Sequence, residues 1–209
     1  MMTKNTNIDE KCAEYGFRIC DYAKEIYDAL NRELKRLQER NSVNLVEAAK
    51  EVYERVINSL SQDVEEYQKY VKINELEKLI KLAEALQKSE ITNEEKIGRF
   101  SKERKFSNFA QECENSLRKV LGILSTDGVF ASIIWIESNK DKEDYRAIKY
   151  QMSKFLQEIF KSNNKFSGNP ENLREEILKV CSDISQMFFV KQILEQMLTY
   201  ALYRARSLR

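Results

Sequence analysis

Strong backbone punctuation is almost missing from this chain: one proline, Pro170, and five glycines are spread over 209 residues. A sheet of many short strands needs a turn after each strand, and turns draw on glycine and proline, whereas helices need breaks only every few turns. Leu, Glu, Lys, Ile and Ala are abundant instead, so the expected fold class is all-α, a helical bundle of about six to eight helices. At this length roughly 70% of the surface of the unfolded chain can be buried on folding, enough for a core that supports itself.

Apolar residues recur at helical spacing at Ala13, Phe17, Cys20, Tyr27 and Leu30, which predicts a long first helix over residues 9–40. Gly16 lies inside it at a cost of about 1 kcal/mol relative to alanine, either as a close-packing position or as a tolerated one. The first seven residues are mostly polar and read as a disordered end. Asn44 and Glu47 make a capping pair that starts a second helix. Ala48, Val52, Val56, Leu60, Val64 and Tyr67 carry it, bent but not ended at Ser61-Gln62. A third helix starts at Asn74, carries Leu76, Leu79, Ile80, Leu82 and Leu86, and can form a hairpin with the second. Thr92 and Glu95 form another capping box. Behind it comes an apolar stripe of Phe106, Phe109, Ala110, Cys113, Leu117, Val120, Leu121 and Leu124.

Residues 121–160 hold the longest apolar run and the only tryptophan, Trp135. Thr126-Asp127-Gly128 interrupts the preceding helix, and Asp127 is predicted to accept the first amides of a new one starting at Gly128 or Val129. Residues 129–136 are apolar at seven of eight positions, Ser132 excepted, which predicts a core helix buried on nearly all sides. A polar connection over 137–142 leads to an amphipathic helix with Tyr145, Ile148, Met152, Phe155 and Ile159 on one face. Residues 161–169 read as a loop, Asn169-Pro170 as a helix entrance, and 173–208 as one long or slightly broken helix.

The chain contains no histidine. Zinc sites with Cys/His spacing, histidine-dependent nucleophilic catalysis, the ExxH pairs of di-metal bundles and the Arg-x-x-x-x-His signature of helical HEPN-type ribonucleases are therefore excluded. Cys12, Cys20, Cys113 and Cys181 are far apart, form no CxxC, and read as buried free thiols. No phosphate-cradling glycine loop is present. Met152, Met187 and Met197 read as core filler, and the carboxylate pairs Glu94-Glu95 and Asp141-Asp144 as products of a composition that is one-third charged. No catalytic residue, metal or cofactor is expected, and the chain reads as a non-enzyme. Its apolar runs fall short of the ~20 residues that span a bilayer, and no basic-then-apolar leader opens it, so the expectation is a cytoplasmic protein without membrane contact.

Charge is unevenly placed. Residues 1–100 carry 17 basic and 20 acidic groups, −3 in all, and residues 101–209 carry 18 and 14, or +4. The second half can face a polyanion. Arg99, Lys102, Arg104 and Lys105 crowd around one acid, Glu103. Lys102, Arg104, Lys105, Arg118 and Lys119 lie opposite the apolar stripe, as the cations of a solvated face or of a phosphate-binding one. Arg204 and Arg206 close the last helix, where a basic residue also complements the helix dipole.

The run NFAQECENSLRKVLGILSTDGVFASIIWIESNKDKEDYRAIKYQMSKFLQEI resembles the small helical subunit of type III-B (Cmr-type) CRISPR effector complexes. There an amphipathic helix leads to an aspartate- or asparagine-glycine break, a short apolar helix, a lysine-bearing loop and a helix opening with tyrosine. Asp127-Gly128, VFASIIWI, SNKDKED and Tyr145 stand here in that order, and residues 11–27 look like the family's first helix. Two features depart from the pattern: residues 31–98 are longer than the family's connection, and the tail YALYRARSLR lacks its tryptophan-bearing pattern, which leaves room for a related type III small subunit. The chain then reads as a single helical domain, 1–209, with 31–98 a helical-hairpin insertion.

The resemblance implies a non-catalytic subunit that stacks along the backbone subunits of the complex, beside neighbouring small subunits, where guide RNA pairs with target RNA. The expected phosphate contacts are Lys102, Arg104, Lys105, Arg118, Lys119, Lys142, Arg146, Lys149, Lys154, Lys191, Arg204 and Arg206. The alternative is a helical protein–protein interaction module, a scaffold or adaptor, whose basic residues only solubilise it.

Overall fold

A computed structural model describes residues 7–38, 44–90, 92–102 and 105–208; the expectations placed on residues 1–6, on Arg40 and on Arg104 lie outside the described residues. Those described form ten α-helices and one short 3-10 turn, with no strand. The fold is all-α, but the helices outnumber the expected six to eight because stretches expected to be continuous are divided. Leu60 and Ser61 are both extended, with ψ of 149° and 157°, so the expected second helix is two: α2, Leu45–Ser59, and α3, Gln62–Val71. The closing region is likewise divided. A 3-10 turn, Pro170–Asn172, leads to α9, Leu173–Val180, and Asp183 then starts α10, Ile184–Ser207, by accepting the Gln186 amide at 3.1 Å.

Two compact units make up the chain, Tyr22–Phe106 in one and Met1–Asp21 with Ser107–Arg209 in the other. The helix α1, Ile8–Gln38, contributes to both. In the continuous unit, which contains the 31–98 stretch, Ile26, Leu30 and Leu34 of α1 are buried together with Val52 and Val56 of α2 and Val64 and Tyr67 of α3. The helix α4, Asn74–Gln87, lies along α2 and is followed by α5, Asn93–Phe100. Tyr22 meets Tyr67 edge to face, with ring centres 5.5 Å apart. At the end of α3 Lys72 takes a left-handed backbone, φ 52°, a position that glycine fills more cheaply.

The other unit is built from residues 8–21 of α1 with α6, Phe106–Asp127, α7, Val129–Ser138, α8, Glu143–Ile159, α9 and α10. Cys12, Ile19 and Cys20 of α1, Cys113, Leu117 and Val120 of α6, Met152 and Phe155 of α8, and Leu194, Met197 and Leu198 of α10 are fully buried. Gly16 is the reason α1 and α10 come so close: a Cβ there would lie 2.5 Å from the Met197 carbonyl oxygen and 3.0 Å from the Ala201 nitrogen. Of the two readings of Gly16, close packing is the one the backbone adopts. In the turns of α1 before it, the Cys12 thiol points at the Ile193 carbonyl, 3.6 Å away, and the Tyr200 hydroxyl donates to Asp9 at 2.6 Å.

Two expectations for residues 121–160 need correction. Asp127 does not cap the new helix; it is the last residue of α6. The break falls on Gly128, whose φ of 91° strongly favours glycine and whose amide returns to the Ile123 carbonyl at 3.1 Å, closing α6. Nor is α7 buried on nearly all sides. Val129, Ser132, Ile133 and Ile136 face inward, while Phe130, Ile134 and Trp135 remain 38%, 43% and 38% exposed. The helix is apolar around its circumference, but its neighbours among the described residues leave one side partly uncovered.

The loop after α8 is fixed in place by side chains. Buried Ser153 donates to the Gly168 carbonyl at 3.2 Å, Gln157 to the Ser167 carbonyl at 2.8 Å, and Phe166 is buried against Phe160.

Gly16→Ala forces α1 and α10 apart and is expected to lower stability by about 1–3 kcal/mol, read as a drop in melting temperature. Gly122→Ala, within α6 where an added Cβ meets nothing within 4 Å, is expected to raise stability by about 0.5–1 kcal/mol.

Candidate nucleic-acid interface

Among the described residues no three His, Cys, Asp or Glu side chains are grouped so that they could hold a metal ion. Burial pushes the Cys12 thiol up to about 11 and raises that of Cys181. The hydrogen bond from Cys20, at 3.7 Å, together with burial, holds the Cys113 thiol well above its ordinary value. These three stay protonated at neutral pH and supply no thiolate. In the continuous unit a cleft of about 170 Å³ is lined by Leu45, Gln87, Asn93, Lys96 and Ile97, a set with no nucleophile and one cation. Among the described residues no helix is long and apolar enough to cross a membrane.

The basic residues singled out in the sequence separate by what holds them. Lys102 and Lys105 are exposed in the continuous unit, and Arg104 lies outside the described residues. In the other unit Lys149 is not a surface group: its side chain is 8% exposed and its Nζ lies 3.0 Å from Glu137 Oε1, tying α8 to α7. Arg174 reaches the other oxygen of Glu137 at 3.4 Å. Arg146 donates to the Lys140 carbonyl at 2.9 Å and secures the turn between α7 and α8. Lys191 donates to the Ser125 carbonyl at 2.8 Å, in the last turn of α6, where a cation suits the helix dipole. Lys154 sits half-buried over the Tyr150 ring at 5.4 Å. Lys142 is exposed at the start of α8, with its Nζ 5.9 Å from the centre of the Tyr145 ring.

Arg118 of α6 and Arg206 of α10 come together on Glu114 at the end of α10. Glu114 of α6, with its side chain only 3% exposed, receives two guanidiniums on one oxygen: Arg118 at 2.6 Å through Nη2 and 3.1 Å through Nε, and Arg206 at 3.0 Å through Nε. Two positive charges on one carboxylate leave the trio net positive. Both arginine side chains are still 55% and 41% exposed, and Lys119 stands exposed beside Arg118. On the opposite side of α10 Arg204 donates to Asp21 of α1 at 2.8 Å and covers the Phe17 ring at 5.7 Å. Phe17, 38% exposed, meets Tyr200 edge to face.

Local helical geometry explains the arrangement. Ala201 and Ala205 are fully buried and mark the inner side of α10. At 100° per residue Arg204 and Arg206 then leave the helix on opposite flanks, one toward α1 and the other toward α6, and Tyr203 projects outward between them, 57% exposed. Phe17, Arg204, Tyr203, Arg206 and Arg118 thus form a ridge across three helices. Periodicity in the sequence placed Phe17 in a core stripe and passed over Tyr203. The available signal was an aromatic residue next to two arginines, Tyr203-Arg-Ala-Arg206, which the dipole explanation of those arginines covered up. No family model, curated protein or solved structure matches the chain.

Glu114→Gln keeps the shape and removes the one negative charge beneath Arg118 and Arg206. The variant is expected to elute from immobilised heparin at higher salt than the wild type, and to lose about 1–3 kcal/mol in thermal denaturation because charge-assisted hydrogen bonds to the carboxylate become neutral ones.

Proposed function

We propose that the chain is a non-catalytic small subunit of a type III CRISPR RNA-guided effector complex, holding the guide and target RNA backbone through its basic ridge and packing against backbone and neighbouring small subunits. The observation that carries this reading is the two-ended character of α10. Its first turns present Ile184 and Phe188, 69% and 60% exposed, with Phe189 at 36%. The helix α7, with exposed Phe130, Ile134 and Trp135, packs against that helix and against α9, where Leu178 is 58% exposed. Large apolar surface of this kind marks a protein neighbour. The Arg204–Tyr203–Arg206 ridge lies about 20–30 Å farther along the same helix at 1.5 Å per residue. A subunit that stacks in a row and lies along RNA uses both ends. The resemblance of residues 108–159 to the Cmr-type small subunit supports the same reading.

A helical protein–protein interaction module without RNA is favoured by one of these observations, the exposed apolar side chains of α7, α9 and α10. In that reading Arg204 and Arg206 serve the helix dipole and their pairs with Asp21 and Glu114.

A salt titration of RNA binding separates the two. With Arg118, Lys119, Arg204 and Arg206 on phosphates, the slope of log K against log salt for single-stranded RNA is expected to be about −2 to −3, from roughly −0.7 per phosphate. A slope near zero overturns the RNA reading. Co-expression with a type III backbone subunit and guide RNA is expected to retain the chain in the ribonucleoprotein. Phe188→Glu is expected to release it while the salt slope for free RNA is unchanged.

A further inference from the structure

We infer that the end of α10 takes unpaired nucleotides, stacking a base on the ring of Tyr203 while Arg204 and Arg206 hold the flanking phosphates. The inference rests on the RNA reading above and names the class of RNA this site prefers. After Phe188, Tyr203 is the most exposed aromatic side chain among the described residues, and no hydrogen bond or ring contact holds it there. A single exposed tyrosine is ordinary; its setting is not. The ring leaves α10 directly opposite the buried Ala201 and Ala205.

The arginines on its two flanks are already positioned by protein partners. Arg204 is held by Asp21 at 2.8 Å and by the face of Phe17, and Arg206 by Glu114 at 3.0 Å. A guanidinium with one edge fixed keeps further N–H donors for a phosphate, and loses less freedom on binding than a loose lysine does. Tyr203 and Arg206, three residues apart on one helix, have Cβ atoms roughly 5–6 Å apart, so a base on the ring and its phosphate on the guanidinium can be served together. Alternating aromatic rings and cations along a groove or ridge is the chemistry of sequence-tolerant single-strand binding, since every base has a face to stack. In a duplex that face is covered by the next base pair, and contact is left to the phosphates, the 2′-hydroxyls and the base edges of the minor groove.

The test compares a short unstructured RNA of mixed sequence, its duplex, and an abasic version of the single strand, each fluorescently labelled, binding to the full chain by anisotropy. The wild type is expected to bind the single strand more tightly than the duplex. Tyr203→Ala is expected to lose roughly 5- to 100-fold on the single strand, the range of one base–aromatic stack, and to leave duplex and abasic RNA unchanged. Tyr203→Phe is expected to retain the wild-type affinity, and Arg206→Ala to weaken all three RNAs alike. Because the ring is exposed, the melting temperature of Tyr203→Ala serves as the folding control. If Tyr203→Ala binds the single strand as the wild type does, or loses equally on all three RNAs, stacking is overturned while RNA binding stands. If the wild type binds none of the three, the RNA reading and the inference fall together.

Discussion

The contact of α1 with α10 at Gly16 is the constraint from which most of the discontinuous unit follows. Two helices normally keep their axes 8–10 Å apart because side chains stand between them. Here a missing Cβ lets the backbone of α1 approach the Met197 carbonyl and the Ala201 nitrogen directly, and so the axial register of the two helices is fixed. Cys12 meets the Ile193 carbonyl one turn before Gly16, and Asp21 meets Arg204 just over one turn after it. Phe17, the next residue, is carried under Arg204 and against Tyr200. A shift of one helical turn would leave Arg204 without Asp21, so the surface cluster depends on a packing event in the interior.

The charge balance of the chain gains a different meaning in three dimensions. The surplus in the second half suggested a broad basic face, yet much of it is used internally. Lys149 neutralises Glu137, Lys191 closes α6, and Arg146 secures the turn before α8. Of the rest, two guanidiniums share Glu114, a site whose positive character comes from the ratio of partners and not from the number of cations. An isolated exposed ion pair contributes little to stability, but the near-complete burial of Glu114 makes its geometry firm and keeps the arginines beside it in place.

Much of this architecture was legible in the residues. Asn44 and Thr92 cap α2 and α5 as their spacing with Glu47 and Glu95 implied, and the stripe from Phe109 to Leu124 is the buried side of α6. The misses have physical causes. Asp127 is a good cap by type, but Gly128 can adopt the positive φ that ends α6, and the backbone used that route. Ser61 looked like a bend because apolar spacing continues through it, while its extended backbone ends one helix and begins the next. Hydrophobicity told that α7 is apolar all round and could not tell on which sides the chain itself covers it. Tyr203 was invisible for a similar reason: one aromatic residue in a helix has no period, and its significance comes from Asp21 and Glu114, which lie far away in sequence and orient the arginines around it.

The way α1 is shared between units also sets an order of events at the ribosome. Residues 22–106 form an uninterrupted unit that can assemble as soon as it emerges. The other unit takes its first helical segment from before residue 22 and everything else from after residue 106. Cys12, Ile19 and Cys20, all fully buried at the end, therefore stay uncovered while α6 to α10 are made, on the order of 5–20 s at ordinary elongation rates. During that interval the apolar side of the start of α1 waits for partners still inside the translation machinery, as transiently exposed apolar surface of the kind that chaperones shield.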